Sequence, residues 1–185
     1  MKPLQILSEK YDLVHQESAR EPVINADGTK YWYNDNDQYH RLDGPAIEWT
    51  NGHEEWFVNG KRHRLDGPAV IKADGTKGWY DNGKLHRTDG PAIEWADGAK
   101  SWYINDKEHR TDGPAIIKAN GRKEWCINGK YHRLDGPAII NANGDKQWWI
   151  DGKQYTEKEF NRYLQALKAR LDVLNKDNPG IEMDI

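Results

Sequence analysis

Residues 86–104 read HRTDGPAIEWADGAKSWYI, and the same pattern returns along most of the chain. His-Arg followed by x-Asp-Gly-Pro-Ala occurs five times at a spacing of 23 residues. The five histidines are His40, His63, His86, His109 and His132. A tryptophan recurs at the same interval, at Trp56, Trp79, Trp102, Trp125 and Trp148. A fixed period of this length predicts an array of repeated supersecondary units.

Each copy of the repeat contains the signals of two short β-strands. The first strand is predicted at 46–49 and the second at 55–58, with equivalents every 23 residues. Asp-Gly or Asn-Gly separates the two strands, as at Asp74-Gly75, and another Asn-Gly follows the second, as at Asn59-Gly60. Both dipeptides supply the positive φ angles that tight hairpin turns need. The sequence therefore predicts a mainly β fold, an array of antiparallel hairpins in one elongated, twisted sheet.

The strand register depends on the turn at Asp74-Gly75. A two-residue turn there pairs Val70 with Trp79. The equivalent pairs are Ile47–Trp56, Ile93–Trp102, Ile116–Trp125 and Ile139–Trp148. The same register places Lys72 opposite Lys77, and like charges directly opposite each other are unfavourable. A register shifted by one residue is therefore the alternative.

The two ends of the chain differ from the repeats. Residues 1–20 are predicted to form an N-terminal cap with a short helix, and 21–155 to form six repeats, of which the first is degenerate. A capping box at 156–159 opens an amphipathic helix over 156–177, followed by a tail at 178–185. Its apolar seam is Phe160, Leu164, Leu167, Leu171 and Leu174. We expect this helix to cap the array, or alternatively to join two copies as a homodimer.

The composition excludes several classes of protein. Lys and Arg number 27 against 30 Asp and Glu, and this balance argues against an electrostatic nucleic-acid binder. No stretch approaches the roughly 18 apolar residues of a membrane span, and residues 1–20 lack a signal-peptide core. One cysteine, Cys126, permits no intramolecular disulfide and favours a reducing compartment. We expect a cytoplasmic protein.

The His-Arg-x-Asp motif is the one constellation with chemical character. Its acidic residues are Asp43, Asp66, Asp89, Asp112 and Asp135. Each precedes Gly-Pro, so we expect its carboxylate to cap a turn, the Arg to pair with an Asp, and the His to stack on the repeated Trp. His86 and Asp89 are also types of metal ligand. A motif repeated five times favours a structural network, so we predict no enzyme, no metal and no cofactor.

Two sets of residues are candidates for binding. Arg64, Arg87 and Arg110 belong to a ladder that could clamp the phosphate of a small nucleotide. The second set is an aromatic column, one residue from each of several repeats: Tyr33, Phe57, Tyr80, Tyr103 and Trp149. Aromatic residues on a half-exposed sheet face are enriched in interaction hot spots, although ordinary cross-strand packing is the alternative. At this position Cys126 is interpreted as a small apolar substitute.

The core Gly-x-x-x-Trp-aromatic-Ile-Asn-Gly-Lys-x-His resembles the MORN repeat, which also has 23 residues. The fuller unit His-Arg-Leu-Asp-Gly-Pro-Ala-Ile is similar to MORN-like repeats in proteins of tailed bacteriophages and giant viruses. The resemblance covers 21–155, with His-Arg-x-Asp-Gly-Pro where the usual unit has His-Gly-x-Gly. It implies a viral accessory protein that binds and blocks a host protein, such as a component of antiviral defence. A nucleotide-sequestering protein and a membrane-surface adaptor are the alternatives.

Overall fold

The computed structural model describes residues 21–177, which fall into two compact units. The first unit ends at Asp106 and the second begins at Lys107. Both consist of antiparallel β-hairpins, and the second also contains the C-terminal helix. The predicted fold class, mainly β with repeated hairpins and a C-terminal helix, is confirmed. The predicted N-terminal helix lies outside the described residues.

Nearly all of the strands are two residues long. The strands of the first unit are β1 (Val23–Ile24), β2 (Lys30–Tyr31), β3 (Ile47–Glu48), β4 (Glu54–Glu55), β5 (Phe57–Val58), β6 (Lys61–Arg62), β7 (Val70–Ile71), β8 (Lys77–Gly78), β9 (Tyr80–Asp81), β10 (Lys84–Leu85), β11 (Ile93–Glu94), β12 (Lys100–Ser101) and β13 (Tyr103–Ile104). The elements of the second unit are β14 (Lys107–Glu108), β15 (Ile116–Ile117), β16 (Lys123–Glu124), β17 (Cys126–Ile127), β18 (Lys130–Tyr131), β19 (Ile139–Ile140), β20 (Lys146–Ile150), β21 (Lys153–Tyr155) and the helix α1 (Glu157–Asp177).

The strands of each unit form a main sheet and separate side hairpins. In the first unit the order of the main sheet is β1-β2-β3-β4-β7-β8-β11-β12, and the side hairpins are β5-β6 and β9-β10. In the second unit the order is β15-β16-β19-β20-β21, and β17-β18 is a side hairpin. Each full repeat therefore contributes one pair of strands to the main sheet and one side hairpin.

The repeated tryptophan separates these two layers of pairing. The sequence predicted one strand through Trp56, but the structure ends β4 before this residue and starts β5 after it. The Trp56 N–H donates to the Ala69 carbonyl at 2.8 Å, whereas the Trp56 carbonyl accepts from the His63 N–H at 3.1 Å. Because its two backbone groups bond to different neighbours, the tryptophan is the corner at which the chain leaves the main sheet.

The predicted register of the main sheet is wrong by one residue. Val70 pairs with Gly78, not with Trp79, and the same shift occurs in the equivalent hairpins. The observed pairs are Ile47–Glu55, Ile93–Ser101, Ile116–Glu124 and Ile139–Gln147. The cause is a three-residue loop, in which the Lys72 N–H donates to the Thr76 carbonyl and Gly75 has a φ of +90°. This is the turn with a glycine bulge, and it places Lys77 opposite Ile71 and away from Lys72.

The side hairpins have the two-residue turns that Asn-Gly predicts. Val58 pairs with Lys61 across Asn59-Gly60, and both turn residues have positive φ, 49° and 73°. The atypical Asn105-Asp106 pair adopts the same geometry, with φ values of 50° and 65°. Asn and Asp tolerate this left-handed conformation better than other residues with a Cβ.

The core is thin and consists largely of small side chains. The alanine of each Asp-Gly-Pro-Ala motif is fully buried, at Ala46, Ala69, Ala92, Ala115 and Ala138. Helix α1 begins with the predicted capping box, since the Thr156 N–H donates to Glu159 Oε2 at 2.8 Å. The helix packs against β20 and β21, and Phe160 is buried there.

Candidate functional site

The arginine of the repeated motif closes its own loop and covers a tryptophan. Arg87 Nε donates to Asp89 Oδ1 at 2.9 Å, and its Nη1 donates to the Pro91 carbonyl at 3.2 Å. The guanidinium carbon lies 4.0 Å from the centre of the Trp79 ring. One side chain thus makes a charged pair, a backbone hydrogen bond and a cation–π contact.

The same arrangement recurs in both units. The Arg–Asp distances are 2.9 Å for Arg41–Asp43, 2.9 Å for Arg64–Asp66, 2.8 Å for Arg110–Asp112 and 2.7 Å for Arg133–Asp135. The guanidinium carbon lies 4.0 Å from the ring centre for Arg41–Trp32, 4.1 Å for Arg64–Trp56 and 3.9 Å for Arg133–Trp125. The hydrogen bond from Arg lowers the pKa of the carboxyl group in Asp66, Asp89, Asp112 and Asp135. We call these Arg and Asp residues the Arg–Asp ladder.

The histidine of the motif joins successive repeats. Nδ1 of His40 accepts the N–H of Asn59 at 3.0 Å, and Nδ1 of His63 accepts the N–H of Asn82 at 3.2 Å. Nδ1 of His109 and of His132 accepts in the same way from Asn128 and Asp151. His86 Nδ1 lies 3.1 Å from Asn105 Oδ1. The sequence assigned the stacking on Trp to His, but the structure places the Arg guanidinium there and uses His as a bridge between turns.

Two repeats add a further carboxylate to the arginine. Glu48 accepts from Arg41 Nη1 at 2.9 Å, and Glu94 accepts from Arg87 Nη1 at 3.4 Å. At this position Glu alternates with Ile, which gives the array a period of 46 residues. The alternation of Glu and Ile therefore has a structural counterpart, since Glu adds an ion pair in every second repeat.

Three members of the predicted aromatic column come together in the first unit. They alternate with side chains of the neighbouring strand, in the order Tyr33, Tyr39, Phe57, Arg62 and Tyr80. The ring centres are 5.1 Å apart for Tyr33–Tyr39 and 5.4 Å apart for Tyr39–Phe57. The Arg62 guanidinium carbon lies 5.6 Å from the centres of both the Phe57 and the Tyr80 ring. All five side chains are half-exposed, and we call them the ring row.

Arg62 is held in the ring row from below. Its Nε and Nη2 donate to the two oxygens of Glu55 at 2.8 and 3.1 Å, and Glu55 is only 6% exposed. The hydrogen bond to Glu55 raises the pKa of the Arg62 guanidinium. Under the last ring, a Cβ on Gly78 would lie 3.0 Å from the Tyr80 ring, so Tyr80 occupies the space that Glu55 fills one repeat earlier. A buried acid and a glycine thus support the row from beneath.

Sequence reasoning missed Tyr39 and Arg62. Both stand directly before the histidine of the motif, in a column with 23-residue spacing. The column contains Tyr39, Arg62, Leu85, Glu108 and Tyr131. Its members pair with the aromatic column, as Phe57–Arg62 and Tyr80–Leu85 show. The I′ turn at Asn-Gly fixes this pairing, so the second column could have been found from the turn.

The remaining candidates of the column lie elsewhere. Tyr103 is half-exposed on β13. In the second unit Trp149 lies 5.5 Å from Tyr131, whose hydroxyl donates to Glu124. Cys126 is buried, and burial together with the Glu108 and Glu124 charges raises the pKa of its thiol to about 12. A thiol of this kind holds its proton at neutral pH and packs as a small apolar side chain.

A cleft of about 430 Å³ lies between two successive His-Arg loops of the first unit. Its lining includes His63, Arg64, Asp66, Tyr80, Arg87 and Asp89. The predicted nucleotide-clamping residues Arg64 and Arg87 therefore border one cleft, with Nε and Nη1 of each already bonded to Asp and Pro. Over residues 21–177, no group of three or more His, Cys, Asp or Glu side chains is placed to hold a metal ion.

No protein-family model matches this chain, and no curated protein matches it in sequence. Within the described part of the chain, no helix combines the length and the apolar character needed to cross a bilayer.

Proposed function

We propose that the chain is a non-catalytic binding module that presents the ring row to a protein partner. The observation that carries the proposal is the row itself, five neighbouring and half-exposed side chains of which four are aromatic. Rings of this kind give large contact area at low entropic cost, and they dominate the energy of many interfaces.

The division of labour between the two sets of aromatic residues supports this interpretation. The repeated tryptophans are covered by arginines and so belong to the scaffold. The rings of the row differ in identity from repeat to repeat, and one edge of each remains in solvent. A surface whose chemistry varies on a constant scaffold can be specific for one partner.

The repeated polar residues favour a binding module over an enzyme. Asp, Arg and His of each motif bond to one another or to the neighbouring turn, with the same geometry in successive copies. The buried thiol of Cys126, with its raised pKa, is a poor nucleophile. The chemistry of the motif is thus used to hold the repeats together.

The family and the origin are part of the same proposal. The hairpin repeat supports kinship with MORN-like proteins, and the phage or viral origin rests on the sequence resemblance. On this proposal the partner is a host protein, met in the cytoplasm of the host cell, whose action the module blocks. Leu171 and Leu174 on α1 could separately join two copies, since Leu174 is 44% exposed.

The test is affinity capture from host lysate with the double variant Tyr80→Ala/Tyr103→Ala. We expect a protein retained by the wild-type chain to bind the variant at least about 1 kcal/mol more weakly, because truncated hot-spot rings cost this much or more. Trp95→Ala is the matched control, since Trp95 is 41% exposed but stands outside the row. Equal retention by all three proteins, at equal thermal stability, would remove the ring row from the proposal.

The cleft between the His-Arg loops favours a second candidate function, the capture of a small anionic ligand such as a nucleotide. Two arginines and Tyr80 line it, which are the groups that clamp phosphate and stack on a base. Native mass spectrometry of the purified protein tests it. A retained ligand that Arg64→Ala releases would support this candidate, whereas a mass equal to that of the chain alone would count against it.

A further inference from the structure

We propose that the segment which docks on the ring row is an extended polyproline II helix, with a proline at every third residue and an acidic residue opposite Arg62. This inference rests on the proposed function, because it names the chemistry of the partner for the same surface.

The spacing of the row is the first argument. Successive members lie 5.1, 5.4, 5.6 and 5.6 Å apart, close to the distance between neighbouring strands. The residues that repeat, Tyr33, Phe57 and Tyr80, are therefore separated by two strand spacings, or about 9.6 Å. A polyproline II helix advances about 9.3 Å in three residues. A ligand lying along the row would thus present the same face to each of these rings in turn.

The inclination of the rings is the second argument. Tyr33 and Tyr39 are inclined by 30°, and Tyr39 and Phe57 by 46°, so the rings form ridges with grooves between them. Pyrrolidine rings insert between such ridges, and aromatic-lined grooves are the usual receptors of proline-rich segments. A chain of sugar rings, which stacks on aromatic rings through flat faces, fits inclined rings less well. The geometry therefore favours a peptide over a glycan.

The charge of the row is the third argument. Arg62 is the cation within it, and its side chain is 41% exposed although Glu55 binds Nε and Nη2 from below. Nη1 takes no part in that pair. Lys61 and Lys84 are exposed on the same two side hairpins. A carboxylate in the ligand, placed between two prolines, would meet this positive region, and a lysine there would be repelled.

The experiment measures the binding of three fluorescent peptides to the full-length protein by anisotropy. The probes are (Pro-Pro-Glu)5, the charge-reversed (Pro-Pro-Lys)5, and (Gly-Ser-Glu)5, which keeps the charge and the length but not the conformation. We expect (Pro-Pro-Glu)5 to bind at least tenfold more tightly than (Gly-Ser-Glu)5 and at least fivefold more tightly than (Pro-Pro-Lys)5. Equal affinity for the first and the third peptide, or no binding of any, would overturn the proposal.

Two variants connect the binding to the row. Phe57→Leu keeps an apolar side chain but removes the ring, and we expect it to weaken (Pro-Pro-Glu)5 at least fivefold, with Trp95→Ala unchanged. Arg62→Gln should abolish the preference for Glu over Lys. Binding of cellohexaose without binding of the proline peptides would assign the row to a glycan. If the peptides fail but host-protein capture still depends on Tyr80 and Tyr103, the polyproline inference alone is wrong and the proposed function stands.

Discussion

Arg87 shows how one residue supports the fold of its repeat. Its partner Asp89 is 80% exposed in its side chain, and an ion pair that exposed contributes little by itself. The indole of Trp79 and the Pro91 carbonyl provide the rest, since they fix the guanidinium in one position. The stabilisation therefore comes from several modest contacts made by the same side chain, and it is repeated with each copy of the motif.

The lowered pKa of the ladder carboxyl groups predicts a loss of stability in acid. Their folded pKa lies below the model value of 3.8, so they stabilise the fold above that pH and lose this contribution as the pH falls through the folded pKa. Asp27, Asp74 and Glu159 are shifted in the same direction by hydrogen bonds of turns and of the helix cap. We expect the urea midpoint to fall below about pH 4.

The variant Asp66→Asn/Asp89→Asn isolates the ladder. It should be less stable than the wild type at pH 7, and the difference should narrow as the pH approaches 2. Asp172→Asn is the control, because Asp172 is exposed on α1. A difference in urea midpoint that stays constant between pH 7 and pH 2 would show that these carboxylates do not depend on their arginines.

At the scale of the elements, two turn types determine the shape of each repeat. The main sheet uses a three-residue loop that ends on a glycine with positive φ, and the side hairpin uses a two-residue turn with positive φ at both positions. The same dipeptide, Asp-Gly or Asn-Gly, serves both turns. In the loop the Asp accepts hydrogen bonds from the chain, as Asp74 does from the Thr76 N–H at 2.8 Å.

Gly75 provides the test of the three-residue loop. A Cβ there meets no atom within 4 Å, so any cost of Gly75→Ala comes from its φ of +90°. We expect Gly75→Ala to lower the free energy of unfolding by about 1–2 kcal/mol, because this is the cost of the left-handed region for a residue with a Cβ. Gly75→Asn should cost less, since Asn tolerates that region. Equal stability of the wild type and the Ala variant in urea would contradict the turn assignment.

The sequence was sufficient for the hairpins, the turn positions and the helix cap, because each has a local chemical signal. The register was not, since Asp74-Gly75 is compatible with a two-residue turn and with a bulged loop. The unfavourable Lys72–Lys77 pair indicated the second choice. The ring row was only half predicted, because Tyr39 and Arg62 join it through pairing across the side hairpins. That Arg, and not His, covers Trp79 depends on the loop that Asp-Gly-Pro forms, which the motif alone does not specify.

At the scale of the whole molecule, constant and variable positions have separate roles. The Arg–Asp ladder, the bridging histidines and the buried alanines recur in both units and hold the hairpins together. The positions of the ring row carry Tyr, Phe and Arg in the first unit, whereas the equivalent positions of the second unit include the buried Cys126. We infer that binding specificity resides in the variable positions of the first unit.

The most direct test of this division measures stability and partner capture together for two single variants. Arg87→Ala should lower the free energy of unfolding by about 1–3 kcal/mol, from the lost cation–π contact and charged hydrogen bonds, while the folded fraction still retains the partner. Tyr80→Ala should leave a cooperatively folded protein that retains the partner at least about 1 kcal/mol more weakly. Unchanged stability with lost capture in Arg87→Ala would contradict it and would make the ladder the binding site.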